Sequence, residues 1–185
     1  MSWSSALSGL VDIFYPPSCT ACGQVLSGHA CFCELCDRQL ERVPPSRCTR
    51  CAEPGPFATG ECPRCQRQPP PFVRAFAPFA HQGPMARAIH RLKYEDHPEF
   101  VRELTALWVA ESSEFLAVAP REVCAVPLHR KRFVDRRYDQ AMLLAEALAK
   151  RIQGGRCAEA LTRVRQTVRQ VGLSDAERED NVVGA

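Results

Sequence analysis

The sequence predicts an α/β chain headed by two tandem four-cysteine ribbons, and three observations carry that reading. The first is a cysteine pattern that occurs twice between Cys19 and Cys65. The second is a short apolar run, Val123-Cys124-Ala125-Val126, ending at Pro127 and followed by a basic loop and an apolar-faced helix. The third is Pro69-Pro70-Pro71, a stiff boundary between the two kinds of sequence. A strand, a loop and a helix in that order read as the opening of an α/β sheet.

The duplicated pattern is Cys19-x2-Cys22-x10-Cys33-x2-Cys36, repeated at an offset of 29 as Cys48-x2-Cys51-x10-Cys62-x2-Cys65, with Thr20 and Thr49 also matching. Each CxxC knuckle offers two thiolates from a tight turn. The hairpin between two knuckles closes the four into a tetrahedron, the arrangement that structural zinc takes. Two Zn²⁺ are therefore expected, and pairing within each repeat is the simplest assignment. A disulfide framework needs an oxidising compartment, to which nothing directs this chain. A redox CxxC is usually single and sits beside a βαβ unit. An iron–sulfur cluster also takes four thiolates, but duplicated ribbons favour zinc. Cys31 makes the first block C-x-C-x2-C, yet only Cys33 keeps the two spacings equal. No open position for water is suggested, so both zincs read as structural.

Composition bounds the rest. The 185 residues, 45% of them apolar, suit one medium domain plus a small one. Each Zn²⁺ with four thiolates carries −2, so two sites turn the formal +3 into −1, and a case for nucleic acid must rest on local clusters. Of the 11 cysteines, Cys31, Cys124 and Cys157 are left over, an odd remainder that suits a reduced cytosol. The N-terminus lacks the basic stretch of a signal peptide. No apolar run reaches the roughly 18 residues that span a bilayer. The expected location is cytoplasmic, without membrane insertion.

Along the chain, Trp3, Leu7, Leu10, Val11 and Phe14 share a helical face, giving an amphipathic helix within residues 1–17 that Pro16-Pro17 stops. Residues 18–68 hold the double ribbon, whose small hairpins bury little and need metal to fold. Residues 72–185 form the α/β part. Phe72 to His81 reads as a strand pair or an irregular strand. Helices open at Gly83-Pro84, with Met85, Ala88, Ile89 and Leu92 on one face, and at Pro98, with Phe100, Val101, Leu104, Leu107 and Trp108 inward. The helix after the basic loop carries Ala141, Leu144, Ala145, Leu148 and Ile152 on one face and ends at Gly154-Gly155. Ser174 and Glu177 form a capping box for a last helix.

Tandem ribbons, then Leu92-Lys93-Tyr94, Pro127 and Arg136-Arg137-Tyr138-Asp139-Gln140, resemble the ComF family of competence-associated proteins. Arg163, Arg165, Thr167, Gln170, Leu173, Arg178 and Asn181 match that family's closing signature. The resemblance covers nearly the whole chain. It implies a double zinc ribbon fused to a type I phosphoribosyltransferase-like, Rossmann-like domain, linked to DNA uptake in natural transformation. Two departures stand out. Arg137 replaces a usual Gly, a poor exchange if the backbone there needs φ > 0, and Asp139 replaces Asn. The family's Asp-Asp strand and Thr-Thr-Gly loop, which cradle the 5′-phosphate of phosphoribosyl pyrophosphate, should follow Gly184, where the sequence stops at Ala185.

The resemblance therefore implies an incomplete domain without transferase activity as it stands, with Mg²⁺ and phosphoribosyl pyrophosphate as ligands only if the missing half is present. Arg130, Lys131, Arg132 and Arg136, at a strand end before a helix N-terminus, suit pyrophosphate. Arg163 and Arg165, with Arg169, lie in what resembles the family's mobile loop. The same clusters, with Tyr138, suit single-stranded DNA. A non-enzymatic adaptor for DNA or a competence or DNA-processing partner is the second reading, and a truncated product the third. His90 and His97 read as surface residues. No nucleophile–base constellation, Walker motif or GxGxxG supports a hydrolase or ATPase.

Overall fold

The computed structural model describes residues 16–118 and 121–185, so the expected N-terminal helix lies outside the described residues. The chain forms two compact units. One comprises residues up to Arg91 together with Ala106–Val118, and the other Leu92–Thr105 together with residues from 121 onward.

The first unit holds the two ribbons, and their first knuckles repeat the same hydrogen bonds. In the first, Cys19 N donates to Gln24 O (2.8 Å) and Gly23 N to Cys19 O (2.9 Å). In the second, Cys48 N donates to Glu53 O (2.8 Å) and Ala52 N to Cys48 O (3.0 Å). The repeated threonines act alike. Thr20 N and Oγ1 donate to Cys31 O at 3.0 and 2.8 Å, and Thr49 N and Oγ1 to Gly60 O at 2.8 and 3.1 Å. Each ties its first knuckle to the segment before the second. The turn closing the first knuckle needs φ > 0, which Gly23 (78°) adopts without cost and Ala52 (64°) adopts against its Cβ.

Each second knuckle runs into one helical turn, α1 (Glu34–Arg38) and α2 (Pro63–Arg67), entered from an extended Cys33 or Cys62. Pro63 fills a helix-start position where its missing N–H costs nothing. The expected strands over 72–81 do not form. That segment instead makes single bonds, Ala75 N to Arg50 O, Val43 N to Pro78 O and Ala80 N to Glu41 O, with one isolated bridge at Arg42 and Phe79. Pro78 within the segment and Pro71 before it remove N–H groups that a ladder would use. Helix α3 spans Gly83–Tyr94, and its Arg91 Nη1 donates to Cys19 O and Thr20 O, both at 3.1 Å. Helix α4 is Phe100–Ala110 and α5 is Ser113–Val118. Phe115 takes Phe76 and Trp108 edge-on, with centroids at 5.2 and 4.9 Å.

The second unit is built on a βαβ crossover. Strand β1 (Glu122–Val123) pairs in parallel with β2 (Arg156–Cys157), Val123 opposite Cys157. Between them come α6 (Arg130–Arg136) and α7 (Gln140–Ala149), the latter packed on both strands. Ala145 and Ile152 are buried as expected, and so are Ala88, Leu92, Phe100, Val101 and Leu104. Ala141, Leu144, Leu148, Met85, Ile89, Leu107 and Trp108 are half-buried, and Ala149 takes a buried place not expected of it. The apolar run at 123–126 is less of a strand than its composition suggests. Pairing stops at Val123, and Cys124 and Val126 are exposed, because Pro127 cannot donate to a ladder. Helix α8 (Asp175–Val182) closes the chain behind the expected capping box of Ser174 and Glu177. Among the described residues, no helix is long and apolar enough to cross a membrane.

Candidate metal centres and a candidate anion pocket

In each ribbon the four thiols converge. The sulfurs of Cys19, Cys22, Cys33 and Cys36 all lie within 4.8 Å of one another, and so do those of Cys48, Cys51, Cys62 and Cys65. Cys22 and Cys33 Sγ are 3.8 Å apart and Cys51 and Cys62 Sγ 3.7 Å, close to the roughly 3.8 Å edge of a tetrahedron with 2.3 Å Zn–S bonds. None of the 11 cysteines forms a disulfide. Cys31 stays outside the first tetrad, its carbonyl accepting from Thr20.

The ionisation of these thiols calls for a positive charge among them. Burial pushes the Cys48 thiol up, but the N–H groups of Cys51, Cys62 and Arg50 and the Cys51 thiol outweigh it and bring it down to about 6. Cys19 is brought to about 7 in the same way, by the N–H groups of Cys33, Cys22 and Ala21 against its burial. Burial first, then the neighbouring sulfurs, pushes Cys36 and Cys65 up to about 12. Four thiolates this close repel one another, and a divalent cation removes the conflict. The two tetrads fit two structural zinc ions.

The second unit has an open cavity of about 1110 Å³. Three stretches line it: Lys93, Tyr94 and Asp96 after α3; Leu128, Lys131, Arg132, Arg136, Arg137 and Tyr138 around α6; and residues 166–171 of the tail. Among the described residues of the lining, six side chains are cationic, Arg169 included, and one, Asp96, is a carboxylate. Asp96 is already paired with Arg137 at 3.2 Å.

The stretch expected to be a basic loop is in fact the short helix α6. His129 caps it, Nδ1 accepting from Lys131 N at 3.3 Å, and the i, i+1, i+2 spacing of Arg130, Lys131 and Arg132 fans them round the axis. Lys131 and Arg132 therefore reach the cavity, whereas Arg130 is exposed and outside its lining. Arg136 extends over the Tyr94 ring, 4.8 Å from its centroid, and donates to Tyr94 Oη (3.2 Å) and Gln140 Oε1 (3.0 Å). Arg137 ends α6 with φ 64°, the conformation that makes its exchange for glycine costly. Asp139 caps α7: Oδ1 accepts from Ala141 and Met142 N at 2.9 and 3.1 Å, and Oδ2 from Leu128 N at 2.9 Å. Its charge is thereby held by three N–H groups, fixing the loop from β1 to the helix. Burial raises the Tyr138 phenol, which donates to Leu92 O at 2.5 Å.

The tail arginines do other work. Arg163 donates to Thr167 Oγ1 (2.8 Å), and Arg165 to Asn181 and Val183 O (3.0 and 2.6 Å), closing the end of α8. Arg132 donates to Thr167 O (2.8 Å) and holds the tail over the cavity. Lys93, Lys131 and Arg169 make no ion pair or hydrogen bond with another described residue through their side chains. Sequence reasoning put Arg163 and Arg165 at the site and left out Lys93, Tyr94 and Arg137. Lys93 and Tyr94 belong to the Leu92-Lys93-Tyr94 motif, but no spacing connects them to α6.

A double zinc ribbon domain matches residues 10–71. The DNA utilization protein YhgH of Salmonella typhimurium is 30% identical over 177 residues, covering 92% of this chain and 77% of that protein. Its Escherichia coli K12 counterpart is 29% identical over 175 residues, with the same coverage. Competence protein F of Haemophilus influenzae is 26% identical over 159 residues, covering 83% of this chain and 68% of that protein. No solved structure matches the chain.

Proposed function

The chain belongs to the ComF family, and from that membership we propose that it serves DNA uptake or utilisation in the cytoplasm. Residues 18–68 are its zinc-ribbon module, and residues 72–185 are part of a type I phosphoribosyltransferase-like domain. The parallel βαβ crossover supports that fold. The function assigned to this domain is to bind a compact phosphorylated ligand of the phosphoribosyl pyrophosphate class.

One observation carries the assignment: among the described residues, six cationic side chains line one cavity with one carboxylate, which is already paired. Such a surplus of positive charge is stabilised by an anion. Lys131, Arg132 and Arg136 lie on the helix after β1, where α/β sheets receive ligands. Lys93, Lys131 and Arg169 would be the first to engage phosphate oxygens, since among the described residues they have no partner to give up.

Single-stranded DNA is the second reading, favoured by Tyr94. It is 56% exposed and its ring carries Arg136 at 4.8 Å, an aromatic–cation pair of the kind on which bases stack. Calorimetric titration of the zinc-loaded chain with pyrophosphate and with an oligothymidylate separates the two. Saturable pyrophosphate binding, weakened by Lys131→Ala, supports the compact ligand. Oligothymidylate binding lost with Tyr94→Ala supports the second, and no binding of either at low salt removes both.

A further inference from the structure

We propose that Cys22 is an oxidation site through which a hydroperoxide opens the first ribbon and releases its zinc, while the second ribbon stays closed. The two tetrads share their spacing and the hydrogen bonds of their first knuckles, so their difference lies in what surrounds the sulfurs. Cys19, Cys33 and Cys36 are buried and Cys22 is exposed, whereas its counterpart Cys51 is half-buried. Thiolate attack needs access, and only Cys22 among the eight ligands is exposed.

The flanking residues differ in the same sense. In the second ribbon Arg50 donates twice to Glu61 Oε1, at 3.0 and 2.8 Å, joining the residue before Cys51 to the residue before Cys62. The positions before Cys22 and Cys33 hold Ala21 and Phe32, which are buried but carry no charge. Near the first tetrad, the Arg91 guanidinium is turned to the carbonyl oxygens of Cys19 and Thr20.

The chemistry closes within the first tetrad. The Cys22 thiolate attacks one oxygen of the hydroperoxide. The O–O bond breaks, water or an alcohol leaves after protonation, and Cys22 becomes a sulfenic acid. The Cys33 thiolate, 3.8 Å away, then attacks that sulfur. The S–S bond forms, the S–O bond breaks, and hydroxide leaves as water. Two electrons have passed from the sulfur pair to the hydroperoxide. With Cys22 and Cys33 joined, only the Cys19 and Cys36 thiolates would remain to hold a zinc ion, too few to retain it.

The test is limiting hydrogen peroxide added to the full zinc-loaded chain. Zinc release is followed with a chromogenic chelator, and the cysteines are mapped by peptide mass. One of the two zincs should leave in a first phase, with a Cys22–Cys33 disulfide and an unmodified second tetrad. Simultaneous release of both, earlier release from the second ribbon, or oxidation confined to exposed Cys124 with both zincs retained would overturn the proposal. A variant with Arg50→Ala and Glu61→Phe keeps all eight ligands and gives the second ribbon the first one's flanks. Its second zinc should leave faster than in the parent, and an unchanged rate removes the protective role of the ion pair.

Discussion

The ribbons and the cationic pocket solve the same electrostatic problem from opposite sides. In each ribbon, four thiols meet within 4.8 Å, and a cation is what permits them all to ionise. In the pocket, six cationic groups meet round one carboxylate among the described residues, and an anion is what balances them. The ribbon assembles its ligands from one 18-residue block, the pocket from three stretches between Lys93 and Val171. A site made from one block depends on the metal for its shape. A site made from distant stretches depends on the packing of helices and strands that bring them together.

Removing zinc tests that contrast most severely. Structural zinc supplies on the order of 10–16 kcal/mol per site at neutral pH. A strong chelator should therefore unfold both ribbons while the helical circular dichroism of α7 persists; loss of all helical signal would show that the two regions share one cooperative transition. Acid acts in the same direction. Zinc requires deprotonated thiols, and Cys36 and Cys65 stand at about 12 without it, so affinity falls as pH falls and uptake at pH 7 releases protons.

The next effect separates ligand contacts from internal ones. Lys131→Ala should cost about 1.5–3 kcal/mol of pyrophosphate binding, the range for a hydrogen bond to a charged group. Arg165→Ala should leave that affinity unchanged and lower the thermal midpoint, since it frees the carbonyls of Asn181 and Val183. Equal losses of affinity in both variants would mean that the tail arginines do reach the ligand.

Arg137→Gly gives a smaller effect of opposite signs. A glycine at φ 64° relieves about 1 kcal/mol of backbone strain, partly offset by the exposed ion pair to Asp96. Thermal unfolding should show stability rising slightly, while calorimetry shows anion binding weakened by one lost cation.

The smallest effect is that of Glu177. Its bonds from the Ser174 hydroxyl and N–H hold its carboxyl below the ordinary 4.5. With the folded value depressed, its contribution to stability is present above the unfolded value and disappears as pH falls through the folded one. Glu177→Gln should flatten that part of the pH–stability curve.

Some of this was written locally in the chain. The cysteine spacing named all eight ligands, the capping box placed the start of α8, and the apolar faces of α3, α4 and α7 named residues that are buried. Each depends on neighbours within one or two turns or on a repeat that can be counted. Asp139 as a helix cap and Arg137 as a strained exchange belong to the same class, since a cap or a left-handed residue is a property of the local backbone.

Other features depended on neighbours far away in sequence. Basic residues in a row said nothing of direction, and helix α6 turned Arg130 outward but Lys131 and Arg132 into the cavity. Arg163 and Arg165 look like anion ligands by charge, yet carbonyl and hydroxyl oxygens of the tail occupy them. Tyr94 became part of the site only when Arg136, 42 residues on, settled over its ring. The sequence by itself determined where metal binds, because four thiols at fixed spacing can close on one ion without outside help. Only the tertiary structure decided which cations share a cavity, because the direction of a long side chain depends on the helix that carries it and on the partners it meets.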